Sequence, residues 1–264
     1  MDESNESNQI AGDFLAVLKR RRVISESPSI PVSGADFKET VATTILAFKF
    51  SGGVLVAGDR RATAGNVVMY DRADKVLEID RHSVMAIAGS PATAWEMARV
   101  LEHSLKFYRR SQLQEMSVEG KVRALSKLLR DNLGMVIQGV GVVVPLFATY
   151  DEKSSDPAKL FFYDAMGAQF EAADYASSGS GAAAVRSVLY YEQNWGAKPL
   201  RERSKENSLL LALKALDTAA EADTATGGID RHGKIFPVIK IVTDSGIERV
   251  PDEKISELFQ AHVA

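Results

Sequence analysis

The chain has 264 residues, 45% hydrophobic and 25% charged, which is enough apolar material for a packed core and excludes a wholly disordered chain. It contains no cysteine, so a disulfide framework, a thiolate nucleophile, a zinc–thiolate site and an iron–sulfur cluster are excluded, and its four histidines (His82, His103, His232, His262) form no HxH or HxxxH pair, so no metal or other cofactor is expected. A net charge of −3 lacks the basic footprint of a nucleic-acid binder, and any catalysis has to rest on Ser, Thr, Lys, Asp or Glu.

Residues 1–42 differ from the rest of the chain. The start is acidic where a secretory or mitochondrial signal would be basic, and no apolar run approaches the roughly 18 residues of a membrane span, so a cytoplasmic protein with no membrane partner is expected. A short helix is predicted over Ile10–Ile24, followed by a Ser/Pro-rich connector over Ser25–Gly34. The segment carries 5 basic and 7 acidic side chains, leaving 27 and 28 for a nearly neutral remainder.

From Thr43 the pattern becomes regular. Thr44–Phe50 and Val54–Ala57, joined at Gly52-Gly53, predict a β-hairpin. Ser83–Ala88 reads as a strand; Ser90 as a cap and Pro91 in the first turn then open a helix to about Arg110, with Trp95 and Met97 facing the core. Val122, Leu125, Leu128, Leu129 and Leu133 recur at helical spacing and predict one helix over Ser117–Val136. Strands are expected at Val140–Tyr150 and Leu160–Ala165 around the loop Asp151–Pro157, helices at Gly181–Trp195 and Asn207–Glu221, a strand at Ile235–Thr243 and a terminal helix at Glu253–His262. Runs of strands alternating with helix pairs fit two stacked antiparallel sheets with a helix pair outside each, an α/β (α+β) four-layer αββα sandwich.

Several positions invite a chemical reading beside an ordinary one. Thr43 lies where the pliable leader meets the first strand; cleavage before it would give one residue both a hydroxyl nucleophile and an α-amine able to take its proton, although β-branched residues also simply start strands. Asp59 ends a buried strand and needs a partner, which Lys75 can supply, either as a loop salt bridge or as a charge that lowers the pKa of a nearby amine. The Gly89 N–H sits at a strand-to-helix turn suited to an oxyanion, or to a tight turn alone. Ser177–Gly181 leads into a helix, and Asp223–Gly228 ends one. The former is not GxSxG, and as GxGxxA it lacks a βαβ context.

In order, TTI, GGVLVAGDRRATAGN, Lys75, AIAGS, NLG with MVIQG, SGSG and DTATGG resemble the bacterial proteasome β subunit over nearly all of Thr43–Ala264. The resemblance implies the N-terminal-nucleophile hydrolase fold, a propeptide of residues 1–42 removed at Ala42–Thr43, and a catalytic domain of residues 43–264. By motif it implies Thr43 as nucleophile, Asp59 and Lys75 as the charged pair beside it, Gly89 as oxyanion donor, and Ser180, Asp223 and Thr226 as the orienting network; the family often has Ser at the last position. Ala62, Thr63, Ala73, Leu77 and Ile87 would bind substrate, with Trp95 a further lining position, and the apolar character of all but Thr63 predicts cleavage after apolar side chains. Stacked homo-heptameric rings with α subunits outside, a ring-shaped ATPase and unfolded protein substrates are the implied partners.

Two residues depart from the family pattern. Ala42 stands where active members usually have Gly, and its Cβ restricts the turn that self-cleavage needs. Pro91 removes one N–H donor near the expected substrate path. An unprocessed, inactive ring subunit and an HslV-type peptidase or small-amide hydrolase on the same fold are the alternative readings; the long leader and DTATGG argue against the HslV type.

Overall fold

Strand β1 (Thr44–Phe50) is buried along its whole length. Ile45 and Ala47 point into one apolar core, Leu46, Phe48 and Phe50 into another, which is why the segment reads as a continuous apolar run rather than an alternating one. The computed structural model describes residues 43–64, 67–230 and 234–262. The expected leader helix, the connector, Ala42, and Gly65 and Asn66 of the GDRRATAGN run lie outside the described residues.

β1 pairs with β2 (Gly53–Gly58) in the expected hairpin, with Phe50 opposite Gly53, and on its other side with β10 (Tyr175–Gly179). With β11 (Val238–Thr243) and β12 (Gly246–Arg249) these form an antiparallel sheet in the order β10-β1-β2-β11-β12. The second sheet runs β5-β6-β7-β8-β9, from β5 (Val76–Asp80), β6 (Ser83–Ala86), β7 (Leu146–Tyr150), β8 (Ala158–Tyr163) and β9 (Gln169–Glu171). A small ribbon of β3 (Ala62–Ala64) and β4 (Val67–Tyr70) stands apart from both.

Ile45, Ala47, Val54 and Val56 of the first sheet meet Val84, Ala86, Leu146, Ala148 and Leu160 of the second. The first sheet's outer face packs on α4 (Ala182–Asn194), α5 (Lys205–Ala222) and α6 (Asp252–His262). The second sheet's outer face packs on α1 (Pro91–Gln112) and α2 (Val118–Asp131). The four layers are therefore the αββα sandwich that the alternation of strand runs and helix pairs predicts, and the fold class stands as read.

Several expectations change at the element ends. The helix expected over Ser117–Val136 breaks at Asn132, whose Nδ2 donates to the Gly141 carbonyl at 2.7 Å; a separate short helix, α3 (Leu133–Ile137), follows. The strand expected from Val140 begins only at Leu146, because the preceding loop turns at Gly141 with φ of 65° and runs past Gly89. Ser90 starts α1 without capping it through its side chain, since its hydroxyl accepts from Thr93 Oγ1 instead. Met97 is buried in α1 as expected, but Trp95 is 45% exposed and so is not a core residue.

Candidate functional site

The site is built at the end of the first sheet where β1 begins, β2 ends and β10 gives way to α4. Asp59 follows directly on β2 and is 1% exposed. Its Oδ1 accepts from the Thr44 N–H at 2.8 Å and from Lys75 Nζ at 2.7 Å, while Oδ2 accepts from the Arg61 and Gly227 N–H groups, each at 2.9 Å. Four donors on one carboxylate compensate for its removal from water.

Lys75, 4% exposed, also donates to the Arg61 carbonyl at 2.5 Å. Burial lowers the pKa of its ammonium below the usual lysine value and outweighs the opposing pull of Asp59; the charge of Arg61 adds to the lowering. The partner proposed for Asp59 from sequence is thus in place.

A second group of polar side chains meets the same strand end. Ser180 donates its backbone N–H to the Thr43 carbonyl at 2.8 Å and its hydroxyl to Asp223 Oδ2 at 2.5 Å. Thr226 Oγ1 donates to the same Asp223 oxygen at 2.6 Å and lies 2.5 Å from Thr44 Oγ1. Burial pushes the Asp223 carboxyl up, but bonds from Ser180, Thr226 and the Ala225 N–H, with the charge of Arg61, bring it below the ordinary carboxylate value. Gly179, with φ of 98°, lets β10 pass against Thr43, since a Cβ there would overlap the Thr43 carbonyl oxygen.

Gly89 lies between β6 and α1 with φ of 116°, and a Cβ would collide with the Val142 carbonyl. The Ser90 N–H donates to Val142 O and the Val144 N–H to Ala88 O, so the bridge between Gly89 and Val143 closes without using the Gly89 N–H. Ala62 and Thr63 lie on β3, Ala73 is buried two residues before Lys75, Leu77 is on β5, and Ile87 is buried with its N–H on the Lys75 carbonyl. Thr63 Oγ1 is buried with no hydrogen-bond partner among the described residues. The structure thus brings Thr43, Asp59, Lys75, Ser180, Asp223 and Thr226 into one connected network and places Ile87 beside it; Trp95 faces solvent.

Two members of the network were not singled out from sequence. Thr44 is bonded to both halves of it, and Arg61 ties its own loop across the site by donating from Nη1 to the Thr224 and Thr226 carbonyls at 2.9 and 3.2 Å. The signal for each was present in Thr43-Thr44 and in Arg60-Arg61, but the first reads as a strand start and the second as loop charge. A cavity of about 970 Å³ lined by Tyr108, Ser117, Lys121, Tyr150 and Lys153 shares none of these residues. Among the described residues no group of three or more acidic or histidine side chains could hold a metal ion, and no helix is long and apolar enough to cross a membrane.

The family model for proteasome subunits matches residues 40–233. The chain is 38% identical over 250 residues to the proteasome subunit beta of Streptomyces griseus, covering 94% of this chain and 85% of that protein. It is 42% identical over 216 residues to that of Streptosporangium roseum (81% and 73%) and 35% identical over 249 residues to that of Acidimicrobium ferrooxidans (93% and 87%). The αββα sandwich, the polar network at the head of β1 and this similarity across most of the chain lead to one assignment: the chain belongs to the proteasome subunit family, a family of peptidases, with bacterial beta subunits among its relatives.

Proposed function

We propose that the chain is the precursor of a threonine endopeptidase whose nucleophile is the Thr43 hydroxyl. The observation that carries this reading is the buried Lys75–Asp59 pair bonded to the Thr44 N–H, one residue from Thr43. In the precursor the Thr43 nitrogen is an amide. Cleavage of the Ala42–Thr43 bond, by attack of Thr43 Oγ on the Ala42 carbonyl and hydrolysis of the resulting ester, separates residues 1–42 from residues 43–264 and frees an amine with an ordinary pKa of about 7.7–8.

That amine accepts the Oγ proton as Oγ attacks the substrate carbonyl, the Gly89 N–H stabilises the oxyanion, and the proton passes to the leaving amine. Water then hydrolyses the acyl ester with the same amine as base. Lys75 and Asp59 set the electrostatics of the amine, while Ser180, Asp223 and Thr226 orient it. Ala62, Thr63, Ala73, Leu77 and Ile87 receive the substrate; the unpartnered Thr63 hydroxyl supports a contact to its main chain, and the apolar members support cleavage after apolar side chains.

The relatives' names support assembly into a core particle. Stacked seven-membered rings with α subunits outside would enclose the sites in a cytoplasmic chamber fed with unfolded protein by an ATPase ring. N-terminal sequencing and intact mass of the chain co-assembled with a matching α subunit test the reading: a new N-terminus at Thr43 with peptide turnover is expected. Thr43→Ala should fold and remain uncleaved, with turnover below detection. A persistent full-length wild-type chain without activity would assign it the role of a structural ring subunit, a reading Ala42 favours. Turnover by pure Thr43→Ala would overturn the nucleophile, and a fluorogenic panel favouring basic or acidic residues would overturn the apolar preference.

A further inference from the structure

The geometry points to Thr44 as a positioning residue whose hydroxyl, through Thr226, orients Asp223 and Ser180 toward Thr43. This inference rests on the proposed role of Thr43, but its observation is separate. Thr226 Oγ1 donates to Asp223 Oδ2, and a hydroxyl has one proton. In the 2.5 Å contact between the two threonine hydroxyls Thr226 is therefore the acceptor and Thr44 the donor. Thr44 Oγ1 in turn accepts from the Gly181 N–H at 3.0 Å. The bonds run one way, from the Gly181 N–H through Thr44 and Thr226 to the Asp223 carboxylate, which also receives the Ser180 hydroxyl.

The backbone of Thr44 serves the other half of the site. Its N–H donates to Asp59 Oδ1 and its carbonyl accepts from the Asp59 N–H at 3.1 Å. Thr44 thus fixes the Asp59–Lys75 pair with its main chain and the Asp223 group with its side chain, and Ser180 returns the connection to the Thr43 carbonyl. Packing alone does not call for a hydroxyl here. The residue is fully buried, on the face of β1 that carries Leu46 and Phe48 against α4 and α5, where valine has the same shape and equal strand propensity; the hydroxyl answers the Gly181 N–H and Thr226, not the apolar neighbours.

The test compares Thr44→Val, Thr44→Ser and wild type in the assembled, processed particle. Loss of the hydroxyl is expected to lower kcat by about tenfold with KM within about twofold, since the bond to Thr226 is removed and the Gly181 N–H loses its acceptor, while no substrate contact is touched. The acid limb of the pH–rate profile, set by the Thr43 amine, should stay in place, while the Asp223 carboxyl, which loses part of the polarisation that favours its charged form, should titrate higher. Thr44→Ser should restore both. Wild-type kcat in Thr44→Val, or a serine variant as impaired as valine, would overturn the inference.

Should Thr44→Val fail to process, Thr226→Val removes the acceptor together with its own bond to Asp223, and it must lower kcat at least as far with KM within about twofold or the inference fails. A readout independent of turnover separates this from the parent reading. In the Thr43→Ala chain, difference infrared spectroscopy with Asp223→Asn as reference follows the Asp223 carboxyl. Its titration should move up when Thr44→Val is added, and an unmoved titration sinks the role of Thr44 whether or not Thr43 is the nucleophile.

Discussion

Asp59 is held in its buried position by one cation, Lys75, and three main-chain donors. A carboxylate at the end of an apolar strand is costly unless paired, and Lys75 is a cation near enough in sequence to answer it; the two meet at 2.7 Å. The remaining acceptor capacity of Asp59 is filled by main-chain N–H groups of Thr44, Arg61 and Gly227, which no side-chain pattern announces. The same limit hid Thr44 and Arg61, whose roles depend on the loop at residues 223–228 arriving from a distant part of the chain. Lys75→Met separates structure from chemistry. Three N–H donors still hold Asp59, so the sandwich should persist, while peptide turnover should fall by at least about 100-fold with loss of the cation beside the proposed base. Circular dichroism with a kinetic assay checks both, and a variant that retains kcat would remove Lys75 from the proposed machinery.

At the scale of elements, type was legible wherever the apolar period was long, as in α1, α2, α4 and α5. Short strands such as β3, β9 and β12 escaped because three or four residues carry no period. The most informative misreading is the helix over Ser117–Val136. Leu133 continues the apolar spacing of α2, but the side chain of Asn132 leaves the helix to hold Gly141, and the chain from there to Leu146 runs beside Gly89 instead of forming a strand. Asn132→Ala should therefore act at a distance from the helix it ends. Losing one part-buried hydrogen bond should cost about 1 kcal/mol. Hydrogen exchange should accelerate at the amides of Ser90 and Val144, which tie the loop to Gly89, more than at those of α2. Uniform acceleration across α2 would show that Asn132 serves only as a helix terminus.

The whole molecule depends on the relative placement of its two sheets, and apolar packing between smooth faces specifies that placement weakly. Two lysines of the first sheet reach across the interface to carboxylates on the second sheet's side: Lys240 of β11 to Glu78 of β5 at 3.0 Å, and Lys49 of β1 to Asp156 in the loop after β7 at 3.2 Å. Neither was distinguishable in sequence from a solvated strand lysine, because burial of the stem depends on the partner sheet. Asp156 is also held by two bonds from Arg201, whose Nε engages Asp174. The Arg201 guanidinium, aided by Lys49 and opposed by burial, draws the Asp156 carboxyl down to about 2. A carboxyl lowered by folding adds stability that is complete above its ordinary value of about 3.8 and is lost as pH falls through its folded value. Asp156→Asn should therefore destabilise the full-length chain at pH 6 by about 1–2 kcal/mol, a modest figure because Asp156 is partly solvated while Lys49 is not. Below pH 4 the gap from wild type should narrow, closing only below about pH 2, where Asp156 is protonated and both chains leave Lys49 without a charged partner. Urea unfolding of the two chains across that range measures the gap directly, and one that stayed constant with pH would show that the cross-sheet pair contributes through packing rather than charge.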